Sequence, residues 1–385
     1  MKILLIGNYA HNRQQSMQRF AELMLHLFDT AGHEARLVRP PPIFGNLRPG
    51  AAGLGKWLGY IDCFVLFPNR LRKGVAWADV VHICDQANAV YVPRLNGKPH
   101  LVTCHDLLAI RSALGQIPAN PISWSGRIYQ RWILSGLRKA QRVVCVSDQT
   151  RRELKAVAGL PDARTTVVLN ALNYPYRPMA ADEFREHLRA LGADPAWPFF
   201  LHVGGNQWYK NRAGVVRIFA HLASMPTFAR HHLVMAGKPW PAELRALVNQ
   251  AALASRIHEW VDVSNEHLRA LYSAAEALIF PSLQEGFGWP IAEAQACGCP
   301  VFTSNRPPMT EVGADAAVYF DPDDPQTAAG IIAERMADAA ALGRQGIESA
   351  KRFAPETMLA GYLSVIEEVV GNHPSAHASF YGLSP

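Results

Sequence analysis

The strongest constraint on the fold of this chain is a rhythm. Short apolar runs end at glycine or a polar residue, and a longer amphipathic stretch follows. Ile3–Ile6 stops at Gly7, and Met17, Phe20, Ala21, Met24 and Phe28 then recur at helical spacing. Ala35–Val38, Val80–Ile83, Leu101–Thr103 and Val143–Val146 repeat the apolar run. Runs without polar alternation suit strands covered on both faces, as in a parallel sheet with helical crossovers. The rhythm breaks at Asn170–Ala180, NALNYPYRPMA, which carries two prolines and no period and reads as a linker. It restarts at Phe199–Val203. Strands are predicted over Leu233–Ala236, Ile257–Val261, Ala277–Phe280 and Val301–Thr303. Helices are predicted over Gly214–Ala223, Glu243–Ala252, Glu266–Ala275 and Pro290–Ala296.

The expected architecture is therefore α/β, with two Rossmann-like, doubly wound domains. A chain of 385 residues, 49% hydrophobic, has the length for two such cores. The first is placed at residues 1–175 and the second at 185–355. A final helix, 356–372, carries Met358, Leu359, Tyr362, Leu363, Ile366 and Val369 on one stripe and is expected to pack back on the first domain. Residues 373–385 lack periodicity and read as a loose tail.

Net charge is +6 and the pI about 9.0, which admits anionic partners such as phosphates or an acidic membrane surface. No zinc-finger spacing, aromatic RNA-binding motif or dense basic helix is present, so nucleic acid is not an expected partner. Of the six cysteines only Cys297 and Cys299 are close, as C-x-C, which suits reduced thiols. The apolar part of MKILLIGNYAHNR is too short for a secretion signal, and no run of ~18 apolar residues spans a bilayer. The expected location is cytoplasmic.

Ligands of open α/β sheets bind beyond the C-terminal ends of the strands, so chemistry is sought there. After the first strand, Gly7 permits close backbone approach, Gln15 or Ser16 offers a helix cap, and the helix that follows offers an anion site. An ordinary strand-to-helix loop explains the same residues. His105 and Asp106 follow another strand. Either Asp106 caps the next turn and His105 is a polar loop residue, or His105 contacts a substrate hydroxyl. Lys210 and Asn211 follow Gly204-Gly205 and open a helix, where a lysine suits a diphosphate. A plain surface lysine is the alternative. The fourth stretch, PSLQEGFGWPIAEA, places Glu285 in a loop. Pro290 at the helix start puts Glu293 in its first turn, where the dipole favours an acid. The dipole accounts for Glu293 but not for Glu285 beside Gly-Phe-Gly.

Taken in order, VCVSDQTRREL, VVLNALN, LHVGGNQWYKN, EGFGWPIAEA and ACGCPVFTSNRPPMTEVGADAAVYFDP resemble the retaining nucleotide-sugar glycosyltransferases of family 4, which have the GT-B fold. The resemblance runs from Met1 to about Val370 and is most specific at Glu285 and Glu293, which look like the family's E-x7-E signature. It implies two domains facing a central cleft and transfer of a hexose from GDP-mannose or a UDP-sugar to an acceptor hydroxyl with retention. Such a reaction serves polysaccharide or glycolipid synthesis. By position, Glu285 resembles the glutamate at the donor sugar hydroxyls, and Glu293 the one at the ribose. Gly286, Phe287 and Gly288 would give backbone contacts. Lys210 resembles the lysine that neutralises the diphosphate, and His105 a histidine at the donor sugar. Gly7 would approach the diphosphate. No cofactor is implied, and the site is expected to work without metal. Many relatives carry arginine where this chain has Gly205. The amides of Gly205 and Asn206, or Arg212, are the candidates to compensate.

Two other patterns are read as structural. Asp321-Pro322-Asp323-Asp324 contains D-x-D, but Asp324 before Pro325 suits a helix cap. Cys297 and Cys299 alone make no tetrahedral metal site. The acceptor is expected to be a glycan or a lipid-linked sugar. Arg70, Arg72, Lys73, Arg127, Arg131, Arg138, Lys139 and Arg142 interleave with Trp57, Phe64, Trp124, Tyr129 and Trp132. They form either a face that rests on an anionic membrane or solvated charges above core aromatics, the plainer reading. A nucleotide-sugar epimerase, a glycan polymerase of the same fold and a non-catalytic binding subunit are the rival functions.

Overall fold

A computed structural model describes residues 1–12, 15–48 and 53–371. The predicted tail, 373–385, lies outside them. The chain forms two compact units, Met1–Asn173 with Pro355–Pro385, and Tyr174–Ala354.

The first unit contains β1 (Lys2–Ile6), β2 (Glu34–Val38), β3 (Val80–Ile83), β4 (His100–Cys104), β5 (Arg142–Cys145) and β6 (Thr165–Val167). Their order is β2-β1-β3-β4-β5-β6, and every neighbouring pair is parallel. The apolar runs serve both faces of the sheet. Leu4, Ile6, Val81 and Val102 pack with Phe67, Leu71 and Leu137 on one face. Ile3, Leu5, Val80 and Leu101 pack with Phe20, Phe28, Tyr362 and Ile366 on the other. The helix Pro355–Gly371 supplies those last two residues, and the Tyr362 hydroxyl lies 2.9 Å from Thr103 Oγ1 in the interior.

The second unit contains β7 (Phe199–Gly204), β8 (His232–Gly237), β9 (Ile257–Val261), β10 (Ala277–Phe280), β11 (Val301–Ser304) and β12 (Val318–Phe320). Their order is β12-β11-β10-β7-β8-β9, again all parallel. Counted within the unit this is the 3-2-1-4-5-6 order of dinucleotide-binding sheets. The chain winds outward from β7 to β9, returns to the middle at β10, and winds out the other way. The loops after β7 and β10 therefore part at the centre of the sheet, and such a switch point is where ligands bind. In the first unit the equivalent place lies between β1 and β3. Gly237, at φ +153°, ends β8 so close to β7 that a Cβ would meet the Gly204 carbonyl oxygen at 2.0 Å.

Candidate functional site

At the switch point of the second unit, β10 runs into a loop from Pro281 to Gly288. Gly288, at φ +102°, turns the chain into the helix Trp289–Ala296. Glu285 sits in the loop. Glu293 does not sit in the first helical turn: the helix begins at Trp289, so Glu293 falls in the second turn and the dipole does not explain it. Glu293 is 7% exposed, and its carboxylate accepts a hydrogen bond from the Tyr272 hydroxyl at 2.8 Å. Tyr272 is fully buried. Burial, and then the facing carboxylate, push its phenol well above the usual range. This tyrosine was not singled out from the sequence, where it looks like any apolar-stripe residue of the helix Asn265–Ala274.

Lys210 ends a one-turn 3-10 segment, Trp208–Lys210, rather than opening the following helix. Asn211, at φ +50°, makes the turn. Its Oδ1 caps the helix Arg212–Ala223 by accepting from the Gly214 amide at 3.1 Å. The Lys210 ammonium donates to Glu285 Oε1 at 2.7 Å, and the two side chains are 15% and 8% exposed. Ser282 Oγ lies 2.6 Å from the same oxygen and 3.0 Å from the Tyr209 carbonyl. Its single proton serves one acceptor at a time, and the ionised one is the stronger. Asn211 Nδ2 donates to the Pro281 carbonyl at 3.1 Å, and the Leu283 amide to the Tyr209 carbonyl at 2.7 Å. Strand order thus brings Lys210 and Glu285 together and stitches their loops. The Phe287 ring is buried against Trp289 and Phe353, at centroid distances of 5.7 and 5.6 Å.

Next to this pair, a Cβ at Gly205 would meet Gln207 Oε1 at 2.5 Å. Asn206 is engaged with its own surroundings. Its Oδ1 accepts from Arg212 Nη1 and its Nδ2 donates to the Pro239 carbonyl at 2.7 Å. Arg212 Nη1 also donates to the Lys238 carbonyl at 2.9 Å.

The first unit's candidates sit deeper than the sequence suggested. The Gly7 amide donates to the Val38 carbonyl at 2.9 Å, so this N–H is spent within the sheet rather than open to a diphosphate. The helix after it begins at Gln15, so Gln15 and Ser16 lie inside it and neither is its cap. His105 is buried rather than a polar loop residue. Its Nε2 lies 2.9 Å from the Cys84 carbonyl, and its ring stands edge-on to Phe20 at 4.7 Å. A carbonyl only accepts, so Nε2 carries the proton, and burial lowers the pKa of the ring against the opposing pull of Asp85. Asp106 Oδ1 caps the next turn at the Leu108 amide, 2.9 Å away. At the β1–β3 switch point, Asn8 donates to buried Asp85 and Asn88 donates to Asn8 Oδ1 at 2.7 Å. The sequence reading missed this trio, although Asn8 and Asp85 each stand just past a strand.

The D-x-D stretch is occupied otherwise. Asp324 caps the helix Pro325–Arg335 at the Thr327 amide, and Asp321 and Asp323 pair with Arg306. Cys297 and Cys299 are buried, and burial followed by Glu293 pushes the Cys297 thiol up to about 12. Among the described residues one group has metal-ligand proximity: Glu183, His187 and Glu266. The Arg269 guanidinium already lies 2.7 Å from Glu266 and 3.7 Å from Glu183, so a cation is present there.

Residues 183–354 match the family model described as glycosyl transferases group 1, and residues 17–174 that of glycosyltransferase family 4. O-antigen chain mannosyltransferase B of Escherichia coli is 30% identical over 236 residues, covering 60% of this chain and 61% of that protein. O-antigen chain mannosyltransferase RfbU of Salmonella typhimurium is 26% identical over 206 residues, covering 53% and 54%. The chain thus spans little more than half the length of these relatives. Among solved structures, sucrose-phosphate synthase of Thermosynechococcus elongatus superposes with a TM-score of 0.75 at 20% identity, over 96% of this chain and 99% of that one, which shows a common fold. Both halves are matched in order, each by its own glycosyltransferase model, and the chain belongs to the family 4 glycosyltransferases, with the GT-B fold.

Proposed function

We propose that the protein transfers a hexose from a nucleotide diphosphate sugar to an acceptor hydroxyl, with retention, in polysaccharide or glycolipid synthesis. The Lys210–Glu285 pair at the switch point of the second sheet carries this reading. The names of the two relatives favour mannose, hence GDP-mannose as the first donor to test and UDP-sugars next. In the donor complex Lys210 leaves Glu285 for the diphosphate, and the freed carboxylate takes the sugar hydroxyls. Glu293, steadied by Tyr272, takes the ribose. The glycine-rich turn 286–288 supports the phosphates through its backbone. For His105 the resemblance supports a donor-sugar contact, through an imidazole that burial favours in its neutral form.

The bond from the sugar's C1 to the phosphate oxygen breaks, and the acceptor oxygen bonds C1 on the same face. The acceptor proton goes to the departing phosphate oxygen. Positive charge gathers on the sugar and negative charge on the phosphate, where Lys210 acts in place of a metal.

The acceptor side draws on the first unit's surface. Trp57 and Trp124 are 54% and 72% exposed, with Leu54, Val65 and Ile128 also on the surface. These residues lie on the neighbouring segments Gly53–Leu66 and Trp124–Lys139, which meet where Phe64 packs on Trp132 at 4.8 Å. Exposed Arg127, Arg131, Arg138 and Lys139 share the second helix. Apolar side chains beside cations suit an anionic bilayer that presents a lipid-linked acceptor. No helix among the described residues is long and apolar enough to cross a membrane.

A panel of GDP-, UDP- and ADP-sugars with candidate acceptors tests the reaction, with product anomers read by NMR and a parallel arm in EDTA. Nucleotide diphosphate released only when acceptor is present supports transfer over epimerisation. Full activity in Glu285→Ala or Glu293→Ala overturns the site. Failure to float with anionic vesicles removes the membrane contact.

A further inference from the structure

Arg212 carries more charge than its bonds use. It is the first residue of the helix Arg212–Ala223 and is 6% exposed. Its Nη1 holds two neutral acceptors, Asn206 Oδ1 and the Lys238 carbonyl. Its Nε and Nη2 make no hydrogen bond within the chain. Glu259, the acid that acts on it, is bound instead to Arg245 at 2.7 Å and to the Trp240 amide. A buried cation without a carboxylate is expensive, and a glutamine amide could hold two neutral acceptors as well. Hydrogen bonding inside the chain therefore does not explain a guanidinium here.

The Nε and Nη2 groups form one edge of a planar fork, with parallel N–H bonds spaced for two oxygens of a phosphate. The arginine stands two positions after Lys210, just past the turn between β7 and the helix. Gly204 and Gly205 put no side chain into the start of that turn. The geometry points to Arg212 as a second cation for the donor's diphosphate, with its Nε/Nη2 edge on the phosphate oxygens while Nη1 keeps the two loops together. It restores, from the first turn of the helix, the guanidinium that the family resemblance places at position 205. The inference rests on the nucleotide-sugar reading of the same site.

The test is calorimetric binding to wild type, Arg212→Gln and Arg212→Lys. The probes are the nucleoside, its monophosphate and its diphosphate, in the base that wild type binds, with inorganic pyrophosphate beside them. Arg212→Gln is expected to weaken the diphosphate and pyrophosphate by about tenfold to a hundredfold while the nucleoside changes less than about threefold. Arg212→Lys should fall between, because it keeps charge without the fork. If Arg212→Gln does not fold, the wild-type Nε–H resonance of Arg212 in 15N spectra provides a second readout and must shift on adding pyrophosphate. Equal losses for nucleoside and diphosphate, no loss for either, or an unmoved resonance overturns the role. Wild type that binds no nucleoside diphosphate of any base refutes the nucleotide-sugar reading itself, and this role with it.

Discussion

The Lys210–Glu285 pair separates stability from function in a way that one double-mutant cycle reads. The ammonium and carboxylate are 2.7 Å apart and almost covered, with the Ser282 hydroxyl 2.6 Å from the same oxygen. Lys210→Met leaves a covered carboxylate with a hydroxyl in place of a cation. Breaking such a pair from one side costs about 3 kcal/mol. For a unit of this size that is a fall of roughly 6–12 °C in its unfolding transition. Glu285→Gln strands the ammonium, at a cost of roughly 2–3 kcal/mol. The double variant leaves neither charge alone, so its stability should return to within about 1 kcal/mol of wild type, a coupling energy of about 4 kcal/mol. Transfer activity should not return, because the diphosphate still lacks its lysine and the sugar its carboxylate. The assay is urea unfolding of the four proteins followed by donor turnover. Additive stability losses refute the latch, and a double variant with restored turnover refutes the assigned roles.

Tyr272→Phe removes the buried donor to Glu293 and should cost roughly 1–3 kcal/mol. It should also raise KM for the donor more than it lowers kcat, which steady-state kinetics will show. His82 and His202 are wholly buried, and burial pulls both imidazoles down to about 3. The unfolded chain then binds more protons below pH ~6.5. Stability is full above that value and falls as pH drops toward 3, by about 2 kcal/mol per histidine at pH 5. Urea midpoints at pH 5 and 7.5 check this, and His202→Gln should flatten the slope. Gly237→Ala places a Cβ on the Gly204 carbonyl and should yield insoluble protein. Gly330→Ala, with open space around it inside a helix, should stabilise by about 0.5–1 kcal/mol in a thermal melt.

Much of the sheet structure was legible because its strands are apolar on both faces. Val80–Ile83, Ile257–Val261 and Ala277–Phe280 have the bounds read from the sequence, and most others differ by one or two residues at an end. The misses were Thr165–Val167 and Val318–Phe320, three-residue edge strands too short for a period to show. The two glutamates and the lysine were legible as a motif, but their partners were not. Lys210 and Glu285 meet because β10 returns beside β7, and that pairing is set by the whole sheet rather than by any local window. The aromatics of the first unit divided against the plainer reading. Trp57, Trp124 and Trp132 are exposed, whereas Phe64 and Tyr129 are partly covered by one another. Which ring on an amphipathic helix finds a neighbour is decided by packing, and the sequence carries little trace of it.

The helix Pro355–Gly371 belongs to the first unit yet follows the whole of the second unit in the chain. During synthesis the cores of β1 to β6 emerge early, but the face holding Phe20, Phe28 and His82 waits for Tyr362 and Ile366. The intervening residues Tyr174–Ala354 take roughly 9–36 s to translate at ~5–20 residues per second. For that interval the nascent chain carries an open apolar sheet face behind the ribosome. Emergence of this helix, rather than the folding of either sheet, is the event that finishes the first unit, and a chain stopped short of Tyr362 would present that face to chaperones and proteases.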